Sequence, residues 1–196
     1  MSEAPVIAAE EAVAIGPGRL VLVVGPSGAG KDTLLGLAQA ACAEDADILF
    51  PRRVVTRESS AAEDNIAMSA DEFRRTQEQG GFAVHWEAHG HAYALPVEIN
   101  DDIRAGRTIV ANVSRTVLGN LRRAYASVVV VSITAPPEVL AERLAARARV
   151  SDGNIEARLS RSVDEAGADV TIVNAGSAEY HSRQLVRVIR NEGWCE

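Results

Sequence analysis

Residues 20–24, Leu-Val-Leu-Val-Val, run straight into Gly25-Pro26-Ser27-Gly28-Ala29-Gly30-Lys31, and a helical apolar pattern through Leu34, Leu35, Leu37 and Ala38 follows. A buried strand, a glycine-rich turn and a helix start, in that order, leave few folds open to the chain. In such a turn successive backbone N–H groups converge on anionic oxygens at the positive end of the helix. Lys31 is the one lysine; every other basic side chain of the twenty is an arginine. A compact ammonium on a flexible stem reaches oxygens held inside an amide cradle, whereas a planar guanidinium has a different shape and different donor directions. The strand–loop–helix context turns the motif into a nucleoside-triphosphate site built from Gly25, Pro26, Ser27, Gly28, Ala29, Gly30, Lys31, Asp32 and Thr33. ATP is the expected ligand, and Lys31 the first catalytic candidate.

Short β-branched runs followed by helical patterns recur along the chain. Residues 108–113, 127–134 and 170–174 read as further buried strands, and 51–56 as a shorter one after the first helix. Helices are expected near 117–124, after Pro136-Pro137, and over 179–190. This alternation predicts an α/β fold of the P-loop NTPase kind, a doubly wound parallel sheet with right-handed crossovers. Residues 57 to about 105 break the rhythm. A helix over 69–79, with Ser69 as N-cap and Glu72 three residues on, precedes a strand-like stretch over 82–93. Half of the eight aromatic residues (Phe73, Phe82, Trp86 and Tyr93) lie in this insertion, which predicts a small satellite core and a mobile acceptor-binding lobe.

The chain has 196 residues, a net charge of −7 and a pI near 5.2. One domain over 19–196 is the simplest reading, and the acidic balance argues against general nucleic-acid binding. Residues 1–18 lack a basic segment followed by a sustained apolar stretch and read as a loose tail. No apolar run is long enough to span a bilayer, so no membrane association and a cytoplasmic location are expected. Cys42 and Cys195 have neither metal-ligand nor redox-pair spacing; Cys42 is expected to be a buried apolar filler.

Where Ser or Thr commonly follows the loop lysine to touch Mg²⁺, this chain has Asp32 and then Thr33. Either residue can serve the metal: Asp32 as a carboxylate ligand, direct or through water, or Thr33 through its hydroxyl while Asp32 complements the helix dipole. The strands at 108–113 and 127–134 end without an aspartate, which favours Asp32. Arg143, Arg147, Arg149, Arg158 and Arg161 form an arginine-rich stretch over about 143–161 that reads as a lid, with Arg147 and Arg158 the catalytic candidates for the γ-phosphoryl group. Arg57 and Arg115 are candidates to grip an acceptor phosphate. His85, His89 and His91 surround Trp86 and Gly90 in a pattern better suited to hydrogen bonding than to zinc. No general base stands out, and an ionised phosphate acceptor needs none.

These elements resemble the guanylate-kinase-like family of phosphate-loop kinases over nearly all of residues 19–190. The matching residues are the Gly-Pro-Ser-Gly-Ala-Gly-Lys loop, Thr56-Arg57, Glu63, Asp71-Glu72-Phe73, Gly81-Phe82, Trp86, Gly90, Tyr93, Arg143-Leu144, Arg158-Leu159 and Ile172-Val173-Asn174. The resemblance implies that 57–105 is the acceptor lobe and 143–161 the lid. It also exposes departures. The second arginine after Thr-Arg is replaced by Glu58-Ser59-Ser60, the aromatic near 64–67 is missing, and carboxylates for a guanine edge are absent near His85 and in 111–114.

The pattern is more specifically similar to the ribose 1,5-bisphosphate phosphokinases of bacterial phosphonate utilisation. Gly30-Lys31-Asp32, the 53–57 strand ending in Thr56-Arg57, Trp86 through Gly90 with Tyr93 and Pro96, and Asn112-Val113-Ser114-Arg115 carry that likeness. It implies ATP-dependent phosphorylation of ribose 1,5-bisphosphate to 5-phosphoribosyl 1-diphosphate, with a phosphorylated sugar as the small-molecule partner. Arg57, Arg115 and Ser114 are then expected at the sugar's phosphates, and Glu63, His89, Tyr93 and Asn112 along the sugar. A nucleoside monophosphate kinase, a kinase acting on a hydroxyl, and a non-catalytic guanylate-kinase-like binding module are the rival readings.

Overall fold

A computed structural model describes residues 13–57, 65–88, 90–147 and 167–192, apart from the side chains of Leu144, Ala146 and Arg147. Strand β1 (Arg19–Val24) leads through the glycine-rich loop into helix α1 (Lys31–Ala41). Strands β2 (Ile48–Leu49), β7 (Thr108–Asn112), β8 (Val128–Thr134) and β9 (Val170–Val173) complete a parallel five-stranded sheet in the order β2-β7-β1-β8-β9. Helices α4 (Leu118–Ala124), α5 (Pro137–Arg147) and α6 (Ala178–Ile189) make the connections and the final layer.

The unbroken apolar run of β1 follows from its place at the sheet's centre, where both faces are covered. Leu20, Leu22 and Val24 pack on one side with Ile109, Val130, Leu95, Ile103 and Leu121. Val21 and Val23 pack on the other side with Leu34, Leu140, Ile133 and Leu185. Arg19, at the start of β1, donates from Nη1 to the carbonyls of Val188 and Ile189 at 2.7 and 3.1 Å, which ties the strand to the C-terminal end of α6.

The insertion forms a second sheet in the order β4-β3-β6-β5, from β3 (Val54–Val55), β4 (Ile66–Ala67), β5 (Phe82–Ala88) and β6 (His91–Pro96), with helices α2 (Ala70–Glu78) and α3 (Ile99–Arg104). Helix α2 carries the expected capping box. Ser69 Oγ accepts from the Glu72 N–H at 3.2 Å, and Glu72 Oε2 accepts from the Ser69 hydroxyl at 2.7 Å and the Ser69 N–H at 3.1 Å; those two bonds to the carboxylate, the hydroxyl's first, lower the Glu72 pKa.

Three expectations need correction. The 51–56 segment does not join the parallel sheet. Its Val54 and Val55 pair with Ala94 and Tyr93 in the second sheet, and the short β2 takes the edge of the first. The loose tail does not extend to residue 18: Ile15 exchanges backbone hydrogen bonds with Ala124 and Ala126 at 2.8 and 2.9 Å, and the Gly18 N–H donates to Ile103 at 2.8 Å. Gly18 lies so close to the carbonyls of Arg107 and Ile103 that no side chain fits there. The four aromatics divide. Phe73 and Phe82, with ring centroids 4.6 Å apart, build the satellite core, whereas Trp86 and Tyr93 belong to the main core.

Candidate active site

The carboxyl ends of the parallel strands gather the chemistry, as open α/β sheets dictate. Gly30, the N-cap of α1, has φ 87°, and a Cβ there would fall on the Asn174 side chain. Gly25 has φ 146° and faces the Ile133 carbonyl just as closely. Only glycine lets the backbone take this path. Lys31 folds back over the loop, and its Nζ donates to the carbonyls of Gly25 at 2.9 Å and Pro26 at 3.0 Å.

A cavity of about 450 Å³ opens on one side of this loop. The loop residues Gly25, Pro26, Ser27, Lys31 and Asp32 form one wall, and Asn112 through Thr116 another. Arg53, Arg57, Trp86, Ala88 and Tyr93 of the inserted sheet close it. Among the described residues, four cationic side chains, Lys31, Arg53, Arg57 and Arg115, and one carboxylate, Asp32, line it. On a chain whose net charge is −7, this is a concentrated local field for an anionic ligand. Trp86 and Tyr93 stack with centroids 5.7 Å apart and planes inclined by 9°, in the register that pairs them across β5 and β6.

Asn112 lies beside Val23 at the end of β7, and its Nδ2 donates to Asp32 Oδ1 at 3.1 Å. That bond orients the carboxylate at the first turn of α1. Next along the chain, Ser114 caps a short 3₁₀ turn, its Oγ accepting from the Thr116 N–H at 3.3 Å, and so presents Arg115 to the cavity.

A second cavity of about 340 Å³ lies on the other side of the loop, lined by Gly28, Gly30, Thr33, Arg143, Asn174, Gly176 and Ala178. Asn174, only 3% exposed, donates from Nδ2 to the Ala29 carbonyl at 2.8 Å. Its Oδ1 is buried with no hydrogen-bond partner among the described residues. Arg143 Nη1 reaches the Gly28 carbonyl at 3.5 Å.

The AAA domain family model matches residues 21–161. A protein of Bradyrhizobium diazoefficiens, the ribose 1,5-bisphosphate phosphokinase PhnN, is 77% identical, with all of both chains covered. The protein of the same name from Rhodopseudomonas palustris is 63% identical over 90% of this chain and 91% of its own. The chain belongs to the ribose 1,5-bisphosphate phosphokinase family. In fold, this phosphokinase family member is similar to the crystal structure of guanylate kinase from Anaplasma phagocytophilum. The TM-score is 0.66 at 20% identity, with 91% of this chain and 87% of that chain covered.

Within this phosphokinase-family chain the structure brings together most of the residues expected from sequence. Lys31, Asp32, Arg57, Tyr93, Asn112, Ser114 and Arg115 all line the larger cavity. Thr33 lies instead on the smaller one, so the two metal candidates face opposite sides of the loop. Glu63, His89 and Arg158 lie outside the described residues, as does the side chain of Arg147 at the end of α5. Sequence reasoning did not single out Arg53 or Trp86 for the larger cavity, nor Arg143 or Asn174 for the smaller one. All four stand in motifs already noted, Arg53 as the first residue of the 53–57 strand, but the motifs alone give Arg53 no role.

Proposed function

We propose that the protein transfers the γ-phosphoryl group of ATP to the 1-phosphate of ribose 1,5-bisphosphate, giving 5-phosphoribosyl 1-diphosphate and ADP. The larger cavity carries this reading: a phosphate-loop lysine and three arginines line a space of about 450 Å³, and the one carboxylate lining it among the described residues, Asp32, is already bonded to an asparagine. An oxygen of the 1-phosphate attacks the γ-phosphorus. The bond from that phosphorus to the β–γ bridging oxygen breaks, and ADP departs with the electron pair. The acceptor is ionised, so no proton need be removed. Catalysis then rests on alignment and charge neutralisation.

The nucleotide's triphosphate lies along the loop amides, with Lys31 at its terminal oxygens and its nucleoside in the smaller cavity beside Arg143 and Asn174. The open acceptor at Asn174 Oδ1 suits an exocyclic amine of the base. Asp32 fits magnesium, which takes one or two carboxylates and completes its shell with phosphate oxygens and water. Among the described residues no cation pairs with its carboxylate, and Asn112 holds the carboxylate's orientation. Bound there, Mg²⁺ supplies charge neutralisation at the β and γ oxygens. Thr33, on the nucleoside side, serves the α-phosphate better than the metal. Arg57 and Arg115 hold the acceptor phosphate, Ser114 and Tyr93 flank it, and Glu63 and His89 meet the sugar. The 143–161 lid brings Arg147 and Arg158 to the γ-phosphoryl group, and residues 57–105 act as the acceptor lobe. No described helix is long and apolar enough to cross a membrane, and we place the reaction in the cytoplasm.

A guanine acceptor fits poorly: its donor edge needs a carboxylate, and among the described residues the one lining the cavity, Asp32, is already engaged by Asn112. ADP release with GMP, other nucleoside monophosphates and ribose 1,5-bisphosphate separates the two readings. Rapid turnover with the sugar bisphosphate alone is the expected result; robust turnover of GMP overturns the proposal.

A further inference from the structure

Arg53 is the arginine of the larger cavity whose guanidinium is engaged by neither carboxylate nor carbonyl among the described residues. Other arginines of the fold find polar partners. Its neighbour Arg52 is exposed and donates to the Asn65 carbonyl at 3.1 Å. Arg107 and Arg122 meet Asp102 and Asp169 at 2.7 and 2.8 Å. Arg53 is half-buried and instead rests on an aromatic base: its guanidinium carbon is 6.0 Å from the centroid of Tyr93, which in turn stacks on Trp86. Tyr93 and Trp86 are themselves 9% and 7% exposed, and Val55, two residues after Arg53, pairs with Tyr93 across the sheet. The stem and the ring fix where the fork sits, and its in-plane donors stay available for an anion.

This arrangement bears on the substrate. The acceptor under Proposed function carries two phosphates, and a kinase for a monophosphate would need one grip beyond the donor loop. Arg57 and Arg115, assigned above to the attacking phosphate, line the larger cavity and not the adjoining one. Arg53 comes from the inserted sheet and also lines the adjoining cavity of about 200 Å³ behind Asp32 and Asn112. We infer that Arg53 binds the phosphate that does not react, the 5-phosphate of the sugar, and thereby selects a bisphosphorylated sugar over a monophosphate. A guanidinium–phosphate fork is strong and directional, so its loss falls on ligands that carry that phosphate. The inference rests on the reading of the reaction given above.

The test pairs two variants with truncated ligands. Arg53→Met keeps an apolar stem against Tyr93 and removes the fork; Arg53→Lys keeps the charge. In Arg53→Met the KM for ribose 1,5-bisphosphate is expected to rise about 10- to 100-fold, with kcat and the KM for ATP within a few-fold of wild type. Inhibition by ribose 5-phosphate should weaken by a similar factor, whereas inhibition by ribose 1-phosphate, which lacks the distal group, should not change. Arg53→Lys should recover part of the loss. Equal losses for both monophosphates, or an unchanged KM for the bisphosphate, would overturn the assignment of Arg53. A wild-type protein that does not phosphorylate ribose 1,5-bisphosphate at all would instead remove the reading of the reaction, a distinct result. Thermal melts of both variants at the wild-type temperature tie the losses to the missing fork.

Discussion

The two cavities beside Lys31 are built on different principles. The smaller one, where we propose the nucleoside binds, is made largely of backbone: Gly28, Gly30 and Gly176 bring main chain close, and Asn174 and Arg143 brace it through loop carbonyls. The larger one is made of side chains from five places in the sequence, with arginines above a Trp86–Tyr93 stack. On the proposed reading a cavity built this way takes the nucleoside of a donor common to many kinases. A side-chain cavity can be rebuilt without disturbing the fold, so the identity of the acceptor lives there. This is why a 20% identical guanylate kinase shares the architecture while the substrate must be argued from the second wall.

Substitutions can break this division or sharpen it. The largest effect is expected from Lys31→Arg. It should keep the thermal transition of the wild type while lowering kcat by about 10²–10³-fold, because a guanidinium cannot follow the ammonium into the loop. Near-normal turnover would refute the donor side outright. Asn112→Ala releases Asp32 and should weaken the Mg²⁺ dependence of nucleotide binding about 10-fold, read by titrating Mg²⁺ against a fluorescent ATP analogue. An unchanged titration would take Asp32 away from the metal. Asn174→Ala should raise the KM for ATP by about 5- to 10-fold and leave the KM for the sugar bisphosphate unaltered. A loss shared by both substrates would mean that the cavities are not independent.

The smallest effect concerns how the acceptor lobe is attached. The Tyr125 hydroxyl donates to Asn100 Oδ1 at 2.6 Å, joining the end of α4 to α3, and burial pushes its pKa up to about 12 from an ordinary value of 10.0. The folded state therefore keeps the proton after the unfolded chain has lost it. Stability contributed by the neutral phenol is complete below pH 10 and should decline as the pH rises toward 12. Tyr125→Phe should flatten that limb of the pH–stability curve, and an identical curve would show that the phenol is not the group responsible.

The donor side was legible in the sequence because its information is contiguous. Strand, loop and helix start occupy residues 19–41, and the full burial of Leu20 through Val23 on both faces leaves no alternation to misread. The capping box of α2 was equally local. The acceptor side was harder, because its geometry depends on pairing between distant strands. β2 has two residues and gives no periodic signal, so residues 51–56 were assigned to the sheet that β2 in fact borders. Arg53 looks like a charged flank of that segment, and only the pairing of Val55 with Tyr93 reveals the ring beneath it. Trp86 and Phe82 share the aromatic character of β5, yet one joins the main core and the other the satellite cluster. The lower boundary of the domain was misjudged for a similar reason. Gly16-Pro17-Gly18 has the composition of a linker, and the anchors of Gly18 at Ile103 and of Ile15 at Ala124 and Ala126 come from elsewhere in the chain.

Phosphorus NMR of the protein incubated with MgATP and ribose 1,5-bisphosphate tests the central claim most directly. The expected spectrum loses the ATP γ resonance and the sugar's 1-phosphate signal together, and gains ADP and a coupled pair from a new sugar diphosphate, while the 5-phosphate signal persists as a monoester. An unchanged sugar spectrum alongside steady phosphoryl transfer to a nucleoside monophosphate would contradict it.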